Sequence, residues 1–150
     1  MTQTIIRVVE NSAVLLEATK DWYVDMENPQ YEYTMLDTQY GTDEVLIGRS
    51  KLCNEQIRSW VKNISRINTW IWSHEGIAYV RDLNSLLGTT VNSKTGSHLR
   101  ILKGGSLDIR LRDGDQIILG HMDDAELRLE VEVLEIEREK YPEIPFSDLP

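Results

Sequence analysis

Residues 126–137, ELRLEVEVLEIE, alternate apolar and charged side chains with a period of two. Leu127, Leu129, Val131 and Val133 fall on one parity, while Arg128, Glu130 and Glu132 fall on the other. Successive side chains of a strand point to opposite faces, so this spacing predicts a strand with one buried and one solvated face. At Leu134 the phase slips, and Leu134 and Ile136 continue on the opposite parity. That slip predicts a bulge near residue 133 or 134. A Glu-rich helix is the alternative, because residues 127, 131 and 134 also share helical spacing.

The rest of the chain repeats the short-strand pattern. TIIRVVE (4–10), YEYTML (31–36), EVLIG (44–48), INTWIW (67–72) and GIAYVRDL (76–83) each read as a strand. In INTWIW, Ile67, Thr69 and Ile71 share one face, and Asn68, Trp70 and Trp72 share the other. The two tryptophans are expected at the core and its edge rather than as a binding platform. SLDIRLRDGDQIILG (106–120) is broken by Asp113-Gly114, a hairpin signal, and Lys103-Gly104-Gly105 marks a further turn. No amphipathic helix of 12 or more residues stands out. Many short strands separated by turn residues predict an all-β sandwich or barrel. At 150 residues the length fits one domain, taken as 1–140. Residues 141–150 hold three of the four prolines and read as an extended tail, and 18–43 is the least decided segment.

Charge is distributed unevenly. Residues 1–48 carry 2 Lys/Arg against 9 Asp/Glu, residues 49–112 carry 11 against 4, and residues 113–150 carry 3 against 12. A chain of net charge −9 has therefore gathered its cations in the middle, which predicts a local anion site on an acidic body. The acidic flanks argue against nucleic acid as the partner. No stretch approaches the ~18 apolar residues of a membrane span, and the N-terminus lacks the pattern of a secretory signal. The single cysteine, Cys53, excludes an internal disulfide and fits a reducing compartment, so the cytoplasm is expected.

Catalytic signals are missing. His74, His98 and His121 are isolated from one another and from Cys53, so no metal site is expected. The chain has no nucleophile elbow, Walker-type loop or dinucleotide fingerprint, and no cofactor is expected. A binding module is expected in place of an enzyme.

Four polar segments lie at strand ends in a fixed order: IGRS (47–50), SRIN (65–68), DLNSLLGTTVN (82–92) and LRDGDQIILG (111–120). In that order and spacing, over Val45 to Gly120, they resemble the forkhead-associated (FHA) family, a β-sandwich module of two mainly antiparallel sheets that recognises phosphothreonine in partner proteins. The resemblance implies that Arg49, after Ile47-Gly48, binds the phosphate, with Ser50 beside it. It implies that Ser65 donates a hydroxyl hydrogen bond and that Arg66 touches phosphate or peptide backbone. Asp82, Ser85, Gly88, Thr89 and Asn92, and then Gly114, Asp115 and Gly120, match the structural positions of the family pattern.

Two departures bear on function. Asn68 stands where the family has a loop-bracing His, and Asn can still donate and accept. Leu86 and Leu87 stand where polar residues contact phosphate and peptide backbone. Two leucines cannot make those bonds. Two expectations therefore stay open: a phosphothreonine-dependent module serving Ser/Thr kinase signalling or a regulated assembly, with peptide contact made partly apolar; or an FHA scaffold that binds its partner, or itself, without phosphate. Either way the 49–51, 64–66 and 84–89 loops are expected to meet at one end of the sandwich.

Overall fold

The computed structural model describes residues 2–9, 12, 15–19, 23–24, 31–36, 43–74, 76–94, 99–102, 107–120 and 126–135. Among them the strands are β1 (Thr2–Val8), β2 (Leu16–Thr19), β3 (Tyr23–Val24), β4 (Tyr31–Leu36), β5 (Asp43–Gly48), β6 (Glu55–Ile57) and β7 (Thr69–His74). They continue with β8 (Ile77–Asp82), β9 (Thr89–Asn92), β10 (Leu99–Leu102), β11 (Asp108–Arg110), β12 (Gln116–Leu119) and β13 (Leu127–Glu135). No α-helix occurs among the described residues. The Lys103-Gly104-Gly105 turn and the tail at 141–150 lie outside them.

Two sheets face each other. One runs β10-β9-β12-β13-β1-β4-β3 and the other β11-β8-β7-β5-β6-β2. Pairing is antiparallel everywhere except between β5 and β6, which run parallel. The period-two patterns become the core: Ile6, Met35, Leu127 and Leu129 from the first sheet meet Val45, Ile47, Ile71 and Val80 from the second. Each fully buried Ile or Leu of this kind contributes roughly 1.5–3 kcal/mol. On the outer side of the first sheet, Arg7 sits between Glu32, at 3.1 Å, and Glu132. The Glu132 hydrogen bond, ahead of the opposing effect of burial, raises the Arg7 pKa. The acidic face of β13 is thus partly matched by a cation from its neighbour.

Three expectations require correction. β13 has no bulge at 133–134: its register against β1 runs without a break from Leu129 opposite Val8 to Glu135 opposite Thr2. The phase slip is absorbed by leaving Leu134 on the solvent side, where it is 39% exposed. Asp113-Gly114 does not close a hairpin, because β11 pairs with β8 in one sheet while β12 pairs with β9 and β13 in the other. The turn is a crossover, with Gly114 at φ 83° and its N–H bonded to the Val131 carbonyl. Trp70 and Trp72 are not core residues. They lie half-buried on the outer face of the second sheet, stacked at 5.3 Å, while Thr69, Ile71 and Ser73 point inward.

Candidate functional site

The C-terminal end of β5, the N-terminal end of β7, the C-terminal end of β8 and the N-terminal end of β9 share one pole of the sandwich. Backbone bonds there zip two loops together: Arg49 N–H donates to the Ser65 carbonyl at 3.2 Å, and Ser50 N–H to the Arg66 carbonyl at 2.9 Å. The approach is possible because Gly48 is flush against the Arg66 backbone. The third loop joins through Ser65, whose hydroxyl accepts the Leu86 N–H at 2.9 Å. The loops at 49–51, 64–66 and 84–89 therefore meet.

Arg49 is half-buried. Its Nε donates to the Ile64 carbonyl at 2.6 Å, which ties down the guanidinium through one nitrogen and leaves its two terminal amino groups available as donors. Arg66 is exposed. Among the described residues no carboxylate pairs with either arginine, whereas Arg58 pairs with Glu17 and Arg81 with Asp108. Part of the basic middle is thereby neutralised, including Arg81, whose hydrogen bond holds Asp108 below the usual carboxylate range. Ser50 Oγ accepts the Leu52 N–H at 3.2 Å. A hydroxyl that accepts in this way keeps its own O–H to donate, so Ser50 and Ser65 both retain a donor.

Beneath the loops lies a buried relay whose direction follows from counting protons. Thr89 Oγ1 donates to Asp82 Oδ1 at 2.8 Å, so in the 2.7 Å contact with Thr69 it must accept. Thr69 in turn accepts from Asn68 Nδ2 at 2.9 Å. Asn68 Oδ1 receives the Ser65 N–H at 2.9 Å, and Asp82 also takes both the amide and the hydroxyl of Ser85. Asn68 thus braces the Ser65 loop against the β8–β9 turn, which supplies Gly88 at φ 81°. Leu87 is half-buried and Leu86 is 67% exposed.

The remaining motif residues stand apart. Asn92, Gly114 and Asp115 are at the opposite pole, where burial raises the Asp115 pKa. Gly120 returns to the site side, its carbonyl accepting from Asn63 Nδ2 at 2.7 Å. Concavities of about 530 and 800 Å³ lie away from the three loops, along 91–94, 108–116 and 130–134 and beside Arg7. The candidate site is an open loop surface, suited to an extended chain.

A family model for the FHA domain matches residues 45–120, about half of the chain. The chain belongs to the FHA family. FHA domains are protein-interaction modules, so membership assigns this chain to that broad class. Among solved structures, the first FHA domain of yeast Rad53 is similar at a TM-score of 0.59 and 17% identity, over 89% of this chain and 79% of that one. An FHA domain solved in work on phosphothreonine-dependent FHA interactions is similar at 0.54 and 20% identity, over 89% and 99%. An engineered FHA domain with a Myc-pTBD peptide is similar at 0.56 and 16% identity, over 87% and 92%. No curated protein sequence matches.

Sequence reasoning missed three contributors to the candidate site. Asn54 Oδ1 accepts the Leu46 N–H at 2.9 Å, Gln56 Nε2 donates to the Arg49 carbonyl at 3.5 Å, and Leu52 stands 80% exposed beside Ser50. Nothing local marks these roles. Glu55, buried in β6, was detectable: it shares a parity with Cys53 and Ile57, both fully buried. Among the described residues no cluster of His, Cys, Asp or Glu could hold a metal ion, and no helix is long and apolar enough to cross a membrane.

Proposed function

We propose that this FHA domain binds a phosphothreonine-containing segment of a partner protein, and that it serves Ser/Thr kinase signalling or a regulated assembly. The observation that carries the reading is the convergence of Arg49, Ser50, Ser65 and Arg66 on one open surface. The two arginines there have no described carboxylate partner, and the two serine hydroxyls keep donors. A phosphate monoester brings about −1.5 to −2 charges and three acceptor oxygens, which call for a planar multi-donor cation with hydroxyl donors nearby. The phosphothreonine-dependent interactions of a structurally similar FHA domain agree with this chemistry. The cytoplasm is the proposed compartment, in keeping with a single thiol, the buried Cys53.

Each charge-assisted hydrogen bond is worth roughly 1.5–3 kcal/mol, so Arg49→Ala is expected to weaken phosphopeptide binding by about one to two decades. Ser65→Ala, which removes one donor and the anchor of Leu86, is expected to cost about tenfold. Calorimetric titration of a phosphothreonine peptide library against wild type and both variants tests this. Equal binding by wild type and Arg49→Ala, or equal binding of phosphorylated and unphosphorylated peptides, would instead favour the phosphate-independent scaffold, for which the apolar Leu86 and Leu87 are the supporting feature.

A further inference from the structure

We propose that Leu52 and Leu86 form an apolar rim on the anion site and select phosphothreonine segments that carry aliphatic side chains within three residues of the phosphate. The inference rests on the reading of the site given above and names its class of partner.

Five large apolar side chains are strongly exposed among the described residues, and Leu52 at 80% and Leu86 at 67% are the two most exposed of them. Both belong to the site. The backbone N–H of Leu52 is bonded to Ser50 Oγ, and that of Leu86 to Ser65 Oγ. The hydroxyls expected to donate to phosphate are therefore the atoms that hold each leucine's backbone in place. Leu86 is further fixed by its neighbour Ser85, which is 3% exposed and locked on Asp82 through both its amide and its hydroxyl. These side chains are held in water by a braced backbone, and paired apolar exposure beside a polar site marks a contact surface.

Charge selects between possible flanking residues. The segment 83–88, Leu-Asn-Ser-Leu-Leu-Gly, has no charged side chain, so it has no means of reading an acid or a base beside the phosphate. Arg49 and Arg66 supply the cationic part of the surface and Leu52 and Leu86 the apolar part. The complementary segment is anionic at one residue and aliphatic nearby. An extended peptide advances ~3.3 Å per residue, so side chains within three positions of the phosphothreonine fall over the rim.

The test uses a phosphothreonine peptide library in which each of the three positions on either side is varied among Leu, Ile, Ser, Gln, Asp and Lys. It is read against wild type and the double variant Leu52→Ser/Leu86→Asn, each first shown to be folded by thermal unfolding. Wild type is expected to enrich aliphatic over polar residues about tenfold at one position or more, the effect of burying one aliphatic side chain. In the double variant that ratio is expected to fall below about twofold. The ratio compares two peptides on one protein, so a general loss of affinity leaves it unchanged. A flat wild-type profile, or an enrichment that survives in the double variant, overturns the inference while leaving phosphothreonine binding intact. Equal enrichment in an unphosphorylated library overturns the reading of the site itself, and this inference with it.

Discussion

Gly48→Ala is expected to lower stability by about 3 kcal/mol, toward the upper end of what overpacking costs, and to remove phosphopeptide binding together with it. A methyl group at this position would press into the Arg66 carbonyl oxygen, 2.8 Å from its carbon and 3.0 Å from the Ser65 carbonyl oxygen. These are backbone atoms, which cannot swing aside like the end of a lysine. Relief requires the 64–66 loop to move off β5, and that motion breaks the Arg49–Ser65 and Ser50–Arg66 backbone bonds at about 1 kcal/mol each. Ser65 and Arg66 then lose their position relative to Arg49. Urea unfolding combined with peptide titration of the folded fraction separates this variant from Arg49→Ala, which should bind poorly with its stability largely retained. A Gly48→Ala protein with the wild-type denaturation midpoint and affinity would show that the close approach is not required.

The second large effect concerns pH. Glu55 is fully buried on β6, beside Ile47 of β5, and neither carboxyl oxygen has a hydrogen-bond partner. Burial pushes its pKa up to about 9 from an ordinary 4.5. Between those values the folded chain keeps a proton that the unfolded chain releases, so folding loses about 1.4 kcal/mol for each unit of rising pH. Wild type is expected to be less stable at pH 7.5 than at pH 5.5 by about 3 kcal/mol on this account. Glu55→Gln has nothing to release, and its stability curve should lack that slope and cross above wild type as the pH rises. Asp115, whose pKa is also raised by burial, acts in the same direction but is present in both proteins and cancels in the difference. Urea midpoints from pH 5 to 9 for the two proteins provide the check, and parallel curves would reject a buried neutral Glu55. Because Gln56 holds the Arg49 carbonyl, loosening of β6 at high pH would be transmitted to the site.

The strands were legible wherever a single face is buried. Leu127, Leu129 and Val131 sit inside and Arg128 and Glu130 outside, as period-two alternation requires. Sheet membership was not legible. Asp113-Gly114 reverses the chain chemically in the same way whether it joins neighbours or crosses between sheets, and only the long-range pairing of β11 with β8 and of β12 with β9 and β13 distinguishes the two. The supposed bulge at Leu134 failed because a lone apolar side chain on a solvated face costs little, so it gives no information about phase. The tryptophans failed for a related reason: on the outer face Trp70 and Trp72 cover each other and bond Glu44 and Asp108 through their indole N–H groups. The candidate site was legible as residue types in order, from Arg49 through Ser65 to Thr89. Its convergence depends on carbonyls 15 and 16 residues away in sequence and on a missing side chain at Gly48, which no local pattern announces.

The long register between β1 and β13 also determines how the module can be attached to other things. Thr2 lies opposite Glu135, while Val8 and Leu127 lie toward the pole of the three binding loops. Both terminal strands therefore open on the opposite pole, side by side. Whatever is joined before β1 or after β13 is therefore attached at the pole away from the three loops. Tension applied between the two strand ends would peel β1 from β13 at its last pair, Thr2 and Glu135, and the pole of the three loops would be the last part of that ladder to feel the load.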